Sequence, residues 1–172
     1  MNIYLTSGTM DFMETLKKRH PNETMIVMNG VGNSILLHET EGKTSFQTPR
    51  RFEVISSSGT LMEKGFFAFN NIPVTDEGRP IFEHRLLSRI DAIENEPGFV
   101  AFRLLRPLDS DTYILLTQWT NQQGFKSWKD SAAYNNVHES NQSGAGLDKM
   151  SHIFSSAAYI TTYRTIKEDE KK

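Results

Sequence analysis

The stretch Phe99–Thr120, FVAFRLLRPLDSDTYILLTQWT, decides the fold. Its two apolar runs, Phe99 to Arg106 and Thr112 to Thr120, flank PLDSD, a segment rich in turn-forming Pro, Asp and Ser. They read as two strands of one antiparallel sheet. Upstream, Pro97-Gly98 ends a segment in which Phe82, Leu86, Ile90 and Ile93 recur at helical spacing. Thr75 and Asp76 offer caps for that helix, and Pro80 suits its first turn. Before it, Phe66 to Val74 reads as a strand. Downstream, a second helical region begins near Asn121, the loop NQSGAGLD covers Asn141 to Asp148, and Ala158 to Thr165 reads as a last strand. The order βαββαβ over residues 66–165 predicts an α+β fold of the ferredoxin-like kind.

Residues 1–65 repeat the first half of that order. Asn2 to Ser7 reads as a strand, and Thr9 or Asp11 can cap a helix with apolar positions Phe12 and Leu16. Lys17, Lys18 and Arg19 suit the negative end of the helix dipole, and Pro21 stops it. Two apolar runs, Thr24 to Met28 and Ser34 to His38, surround NGVGN and predict a hairpin. Glu41 to Gly65 reads as strand or loop. The N-terminal part is thus expected as an incomplete βαββ half. A four-stranded sheet with helices on one face leaves its other face apolar, so a second sheet must cover it. This N-terminal half can do so within the chain. Residues 166–172 read as a solvated tail.

Composition narrows the chemistry. The 172 residues are 37 % apolar and 23 % charged, with a formal net charge of −2. A chain so close to neutral has no broad pull on nucleic acid or on an anionic membrane. With no cysteine, it can form no disulfide, thiolate-ligated haem or cysteine-held iron–sulfur cluster. No secretion signal and no membrane-length apolar run is legible, so a cytoplasmic location is expected.

Three residues could carry chemistry. Strand alternation places Asn70 with Ala68, Ile72 and Val74, and sends Phe67, Phe69 and Pro73 to the other face. An amide among apolar neighbours needs a partner, in nearby backbone or in a bound ligand. Asn71 points to the face opposite Asn70. Trp128 lies three residues after Phe125 and shares its helical face, as a core residue or as the wall of a flat pocket. Ser131 can cap a further helical segment in which Tyr134, Val137 and His138 lie on neighbouring turns. A lone His beside apolar residues is more often structural, but a neutral imidazole is also a donor for haem iron. His20, His38 and His84 offer less, and His152 is the competitor. Glu94 and Glu96 read as solvated. No HExxH, GxGxxG, Walker loop or GxSxG elbow is present.

At these residues the sequence resembles a known superfamily. FNNIPVT (Phe69–Thr75), EPGFVAFRLLRPLDSDTYILLTQW (Glu96–Trp119) and GFKSWKDSAAYNNVH (Gly124–His138) resemble the antibiotic-biosynthesis-monooxygenase superfamily. The closer likeness is to haem-degrading monooxygenases of the bacillary HmoB type, relatives of IsdG-like enzymes and of the TRAP-like proteins described as signalling factors. The resemblance implies an Asn–Trp–His site at Asn70, Trp128 and His138. His138 would ligate haem iron, Asn70 would donate a hydrogen bond at the open side, and Trp128 would press the porphyrin out of plane. Haem would be substrate and cofactor, with O₂ and an external electron donor, from a reductase or a small-molecule reductant. The resemblance also implies an intrachain αβ-barrel, like a dimer fused into one chain, with one haem site per monomer. Two rivals remain: a haem-binding or TRAP-like signalling protein with little catalysis, and a cofactor-free monooxygenase.

Overall fold

The computed structural model describes residues 1–88, 93–131 and 153–165. Eight strands form a closed barrel. In chain order they are β1 (Asn2–Gly8), β2 (Thr24–Asn29), β3 (Ser34–Thr40), β4 (Arg50–Gly59), β5 (Phe66–Pro73), β6 (Phe99–Pro107), β7 (Thr112–Trp119) and β8 (Tyr159–Arg164). Among the described residues, three α-helices accompany them: α1 (Met10–Lys18), α2 (Arg79–Leu87) and α3 (Gln122–Lys129).

Around the barrel the order is β1-β3-β2-β8-β5-β7-β6-β4. Strands β5 to β8 run β8-β5-β7-β6, the 4-1-3-2 order of a ferredoxin-like sheet. Strands β1 to β4 run β4-β1-β3-β2, the same order again. The two sets meet where β4 pairs with β6 and where β2 meets β8 at Asn29↔Arg164. All the pairings are antiparallel. Register shifts between Val54 and Ser56 and between Phe99 and Ala101 let the sheet bend along the β4–β6–β7 wall.

The N-terminal part is fuller than the expected βαββ. Residues 50–59, within the segment read as strand or loop, supply a fourth strand, β4. What β1 to β4 lack, beside β5 to β8, is a second helix. Residues 41–49 take that place without helical structure. Phe46 from this loop is buried with Met13, Met25, Val27 and Leu36, between the sheet and α1. His38 Nδ1 and Thr44 Oγ1 lie 2.9 Å apart and tie the loop to β3.

Alternation along the strands sorts the side chains into two layers. Ile3, Leu5, Ile35, Leu37, Phe67, Phe69, Leu105, Ile114 and Leu116 fill the barrel. Arg103 also points inside, pairs with Glu39 at 2.7 Å, and donates to the carbonyls of Ser58, Gly59 and Phe102. Gln118 closes one end. Its amide donates to the Met62 and Lys64 carbonyls and accepts from the Met62 N–H, pinning the 60–65 connection, whose Leu61 is buried. The barrel is therefore a packed core, and ligand space must be sought outside it. The outer face of β5 to β8 carries a second core of Phe66, Ala68, Ile72, Phe102, Leu104, Leu115 and Trp119 under Phe82 and Leu86 of α2 and Phe125 and Trp128 of α3.

Some expectations need correcting. In α1 the buried residue is Met13, while Phe12 is 57 % exposed. One residue is about 100° of rotation, enough to swing Phe12 off the sheet. Thr9 caps α1 by accepting from the Phe12 N–H at 3.2 Å. Neither Thr75 nor Asp76 caps α2. Gly78 holds that position, and Thr75 Oγ1 accepts from the Gly78 N–H at 3.0 Å, closing the preceding turn. Val74 lies beyond β5 and bridges to Phe154. Ile93 and Asn95 bound a 3₁₀ turn. Gly98, at φ +81°, has the left-handed backbone that turns the chain into β6.

Candidate functional site

Asn70 sits in the middle of β5, opposite Leu115 on β7 and Ile160 on β8. Its parity places it on the outer, helix-covered face with Ala68 and Ile72, as alternation predicts, and it is 8 % exposed. Asn71 faces the barrel. Its Nδ2 donates to the Phe69 carbonyl at 3.1 Å, the Tyr159 carbonyl at 3.2 Å and Thr161 Oγ1 at 3.1 Å. Asn71 is thus committed to joining β5 and β8.

Trp128 lies on α3. Asn121 caps this helix by accepting from the Gly124 N–H at 3.0 Å. Phe125 and Trp128 share the buried face and pack over β5 and β7, on the same side as Asn70. The Trp128 indole is 5.6 Å from Trp119 between ring centroids, with the rings inclined by 32°. Phe125 lies 5.7 Å from Phe66 and 6.4 Å from Trp119. Together these rings make a continuous aromatic layer against the sheet. At its end, Ser131 Oγ donates to the Trp128 carbonyl, and the helical segment that Ser131 is expected to cap lies outside the described residues.

His138 and His152 lie outside the described residues. Of the other histidines, His84 is exposed on α2 and His20 ends the α1 turn. His38 is buried on β3, 3.3 Å from Glu23 and between the rings of Tyr4 and Phe46, so its surroundings are structural. Among the described residues, no three His, Cys, Asp or Glu converge as a metal set. The described part of the site thus brings an amide and an aromatic layer to one face of the sheet.

A polar cluster shares the outer face with Asn70. Tyr113, opposite Ile72, donates its hydroxyl to Glu83 of α2. Arg106 donates to Glu83 at 2.6 and 2.9 Å and also pairs with Glu53. The Arg106 guanidinium, with the Tyr113 hydroxyl, holds the Glu83 carboxyl below its ordinary value. Burial, then Glu83, pushes the Tyr113 phenol up. An ionised acid so fully engaged is a clamp between α2 and the sheet, not a general base. Elsewhere, an open groove of about 870 Å³ lies between the β2–β3 turn and β8, lined by residues including Asn29, Gly32, Thr162 and Arg164. None of its lining residues belongs to the Asn70–Trp128 pair.

Sequence reading missed Trp119 and Thr117. Both share the parity of Tyr113 and Leu115 on β7, but only the folded register, Ala68↔Thr117 and Phe66↔Trp119, sets them against β5, where Trp119 meets Trp128. Among the described residues, no helix is long and apolar enough to cross a membrane.

Residues 65–140 match the family model described as antibiotic biosynthesis monooxygenase. The chain is 29 % identical over 161 residues to the signal transduction protein TRAP of Staphylococcus aureus, covering 94 % of this chain and 92 % of that protein. A solved structure of a major regulator of staphylococcal pathogenesis superposes with a TM-score of 0.84 at 27 % identity, over 97 % of this chain and all of that one. The heme-degrading enzyme LmHde of Listeria monocytogenes superposes with a TM-score of 0.74 at 18 % identity, over 96 % of this chain and 100 % of that one. At that identity the likeness is one of fold.

Proposed function

We propose, from the premise that residues 65–140 carry an antibiotic biosynthesis monooxygenase domain, that this chain binds haem on the outer face of β5 to β8 and opens its porphyrin ring oxidatively. The observation that supports this best is the shared face of Asn70 and Trp128, an amide and an indole in one aromatic-lined layer outside a filled barrel. Haem supplies the redox chemistry of ring opening, with O₂ as oxidant and an external donor as the source of electrons. The chain supplies the rest. Trp128, backed by Trp119 and Phe125, offers a rigid apolar wall for a flat macrocycle. Asn70 offers a hydrogen-bond donor from a strand whose neighbours hold it in place. His138 is the imidazole we assign to the iron. The matching strand orders of β1–β4 and β5–β8 support a dimer-like barrel within one chain. Phe46 and its loop cover the corresponding face of the first set, which favours one site per chain.

A second reading has its own support. The staphylococcal relatives are named for signal transduction, at higher identity than the heme-degrading neighbour. On that reading the chain senses or signals with little catalysis.

Haemin titration followed by reductant in air separates the two. Wild type should bind haemin and lose its Soret band. His138→Ala should bind at least about tenfold more weakly, a difference of ~1.4 kcal/mol. Asn70→Ala should bind near normally but lose Soret absorbance about ten- to a hundredfold more slowly. A wild-type Soret band that persists in reductant and air rejects the enzyme reading.

A further inference from the structure

Trp119 is fully buried and wedged from every side. Phe99 meets it edge-on at 5.9 Å and 81°, and Trp128 lies 5.6 Å away on α3. Gly124, also on α3, comes so close that a Cβ there would stand 3.2 Å from Trp119 Cε3 and 3.2 Å from the Pro97 carbonyl oxygen. The indole thus bears on α3 at two points four residues apart, one helical turn. Its remaining freedom is rotation about its side-chain bonds. One hydrogen bond holds that rotation: Trp119 Nε1 donates to Thr117 Oγ1 at 2.9 Å. The Thr117 hydroxyl donates onward to the Ala68 carbonyl at 3.4 Å, across the β5–β7 ladder. Thr117 and Ala68 are themselves register partners, so the chain of bonds is anchored in the sheet that carries Asn70.

The geometry points to Trp119, locked by Thr117, as the positioning residue that sets the plane of the Trp128 indole relative to β5. Trp128 borders the ligand face. Trp119 stands behind it and acts through it. The sheet fixes Thr117, Thr117 fixes Trp119, and Trp119 fixes both the seat of α3 and the tilt of Trp128. A polar anchor in an otherwise apolar layer suits this task, because a hydrogen bond specifies a ring angle that apolar packing alone leaves loose. The inference rests on the haem reading for its catalytic consequence, but its geometric part stands apart from haem.

The test exploits a fact of composition: Trp119 and Trp128 are the chain's two tryptophans. Two indoles this close should give an exciton couplet in circular dichroism, measured on the protein with no haem added. Thr117→Val keeps both indoles and the side-chain volume but removes the hydroxyl. It should change the couplet in sign or amplitude, and Thr117→Ser should restore it. Gly124→Ala, which drives α3 against the Trp119 ring, should alter the couplet by a second route. With haemin, Thr117→Val should keep affinity within about twofold, slow ring opening about tenfold and shift the ratio of ring-opened isomers. A wild-type couplet retained in Thr117→Val overturns the inference. So does a changed couplet with wild-type rate and isomer ratio. If wild type itself binds no haemin, the haem reading fails, and the couplet in Thr117→Val and Thr117→Ser still decides whether Thr117 and Trp119 set the Trp128 plane.

Discussion

Adjacent amides on β5 face opposite sides of the sheet. Asn71 spends its Nδ2 on three acceptors from β5 and β8, inside the barrel wall. Removing a buried donor of this kind strands its acceptors and costs on the order of 1–3 kcal/mol. Asn71→Ala should therefore lower the free energy of unfolding by about that amount in urea, with haemin affinity unchanged. Loss of haemin binding at wild-type stability would reverse the roles given to Asn70 and Asn71. The distinction was legible in the sequence, because a strand alternates its faces whatever it pairs with. Two of the partners of Asn71 were not legible, since they come from β8, some ninety residues downstream.

Elements were legible where one signal dominated. Thr9 and the turn around Gly30 and Gly32 each act locally, and the structure keeps both; Pro97-Gly98, expected to end the helix, instead follows a 3₁₀ turn, since α2 closes at Leu87 with Ser88 as its C-cap. The caps of α2 were misread because Thr75 does bond a backbone N–H, but three residues too early to start the helix. Strand β4 was hard to read because its face toward the core is interrupted by a bulge and its run of Ser56, Ser57 and Ser58 carries little apolar pattern. The clamp between α2 and the sheet was invisible, as Glu83, Arg106 and Tyr113 meet only after folding. It carries a pH signature. The Glu83 pKa lies below its ordinary 4.5 in the folded chain, so the unfolded chain binds that proton more readily. Its stabilisation is complete above pH 4.5 and is lost as the pH falls through the lower folded value. Glu83→Gln should thus have a shallower acid limb than wild type in urea midpoints measured against pH. An acid limb of unchanged slope would show that the clamp does not report on folding.

At the scale of the whole molecule, the two sets of strands are joined by more than ladders. Arg103 of β6 and Glu39 of β3 meet inside the barrel, both about one-tenth exposed. Such a pair is expensive to break and cheap to replace. Arg103→Met should destabilise by about 3–5 kcal/mol, and Arg103→Met with Glu39→Met should recover much of that, by urea denaturation of both variants. Equal loss in the single and double variants would mean that the pair does not act as a unit. The register that brings Arg103 to Glu39 was beyond the sequence, because nothing local in RLLRP announces a partner on β3.

Gln118 has a consequence of another kind. The connection it pins, residues 60–65, is the one covalent crossing between β1–β4 and β5–β8. Two copies of this chain could trade halves by swinging that crossing outward, the usual route to a swapped dimer. Two hydrogen bonds donated and one accepted by one buried side chain, with Leu61 buried in the same connection, hold the crossing back on its own barrel. Gln118→Ala should accordingly refold at high concentration into an exchanged dimer in a larger fraction than wild type, seen as an earlier peak in size exclusion that dilution alone does not dissolve. A variant that elutes with wild type under the same conditions would place the barrier to exchange elsewhere. On that expectation Gln118 would do more than plug a barrel end: it would hold each chain to its own two halves.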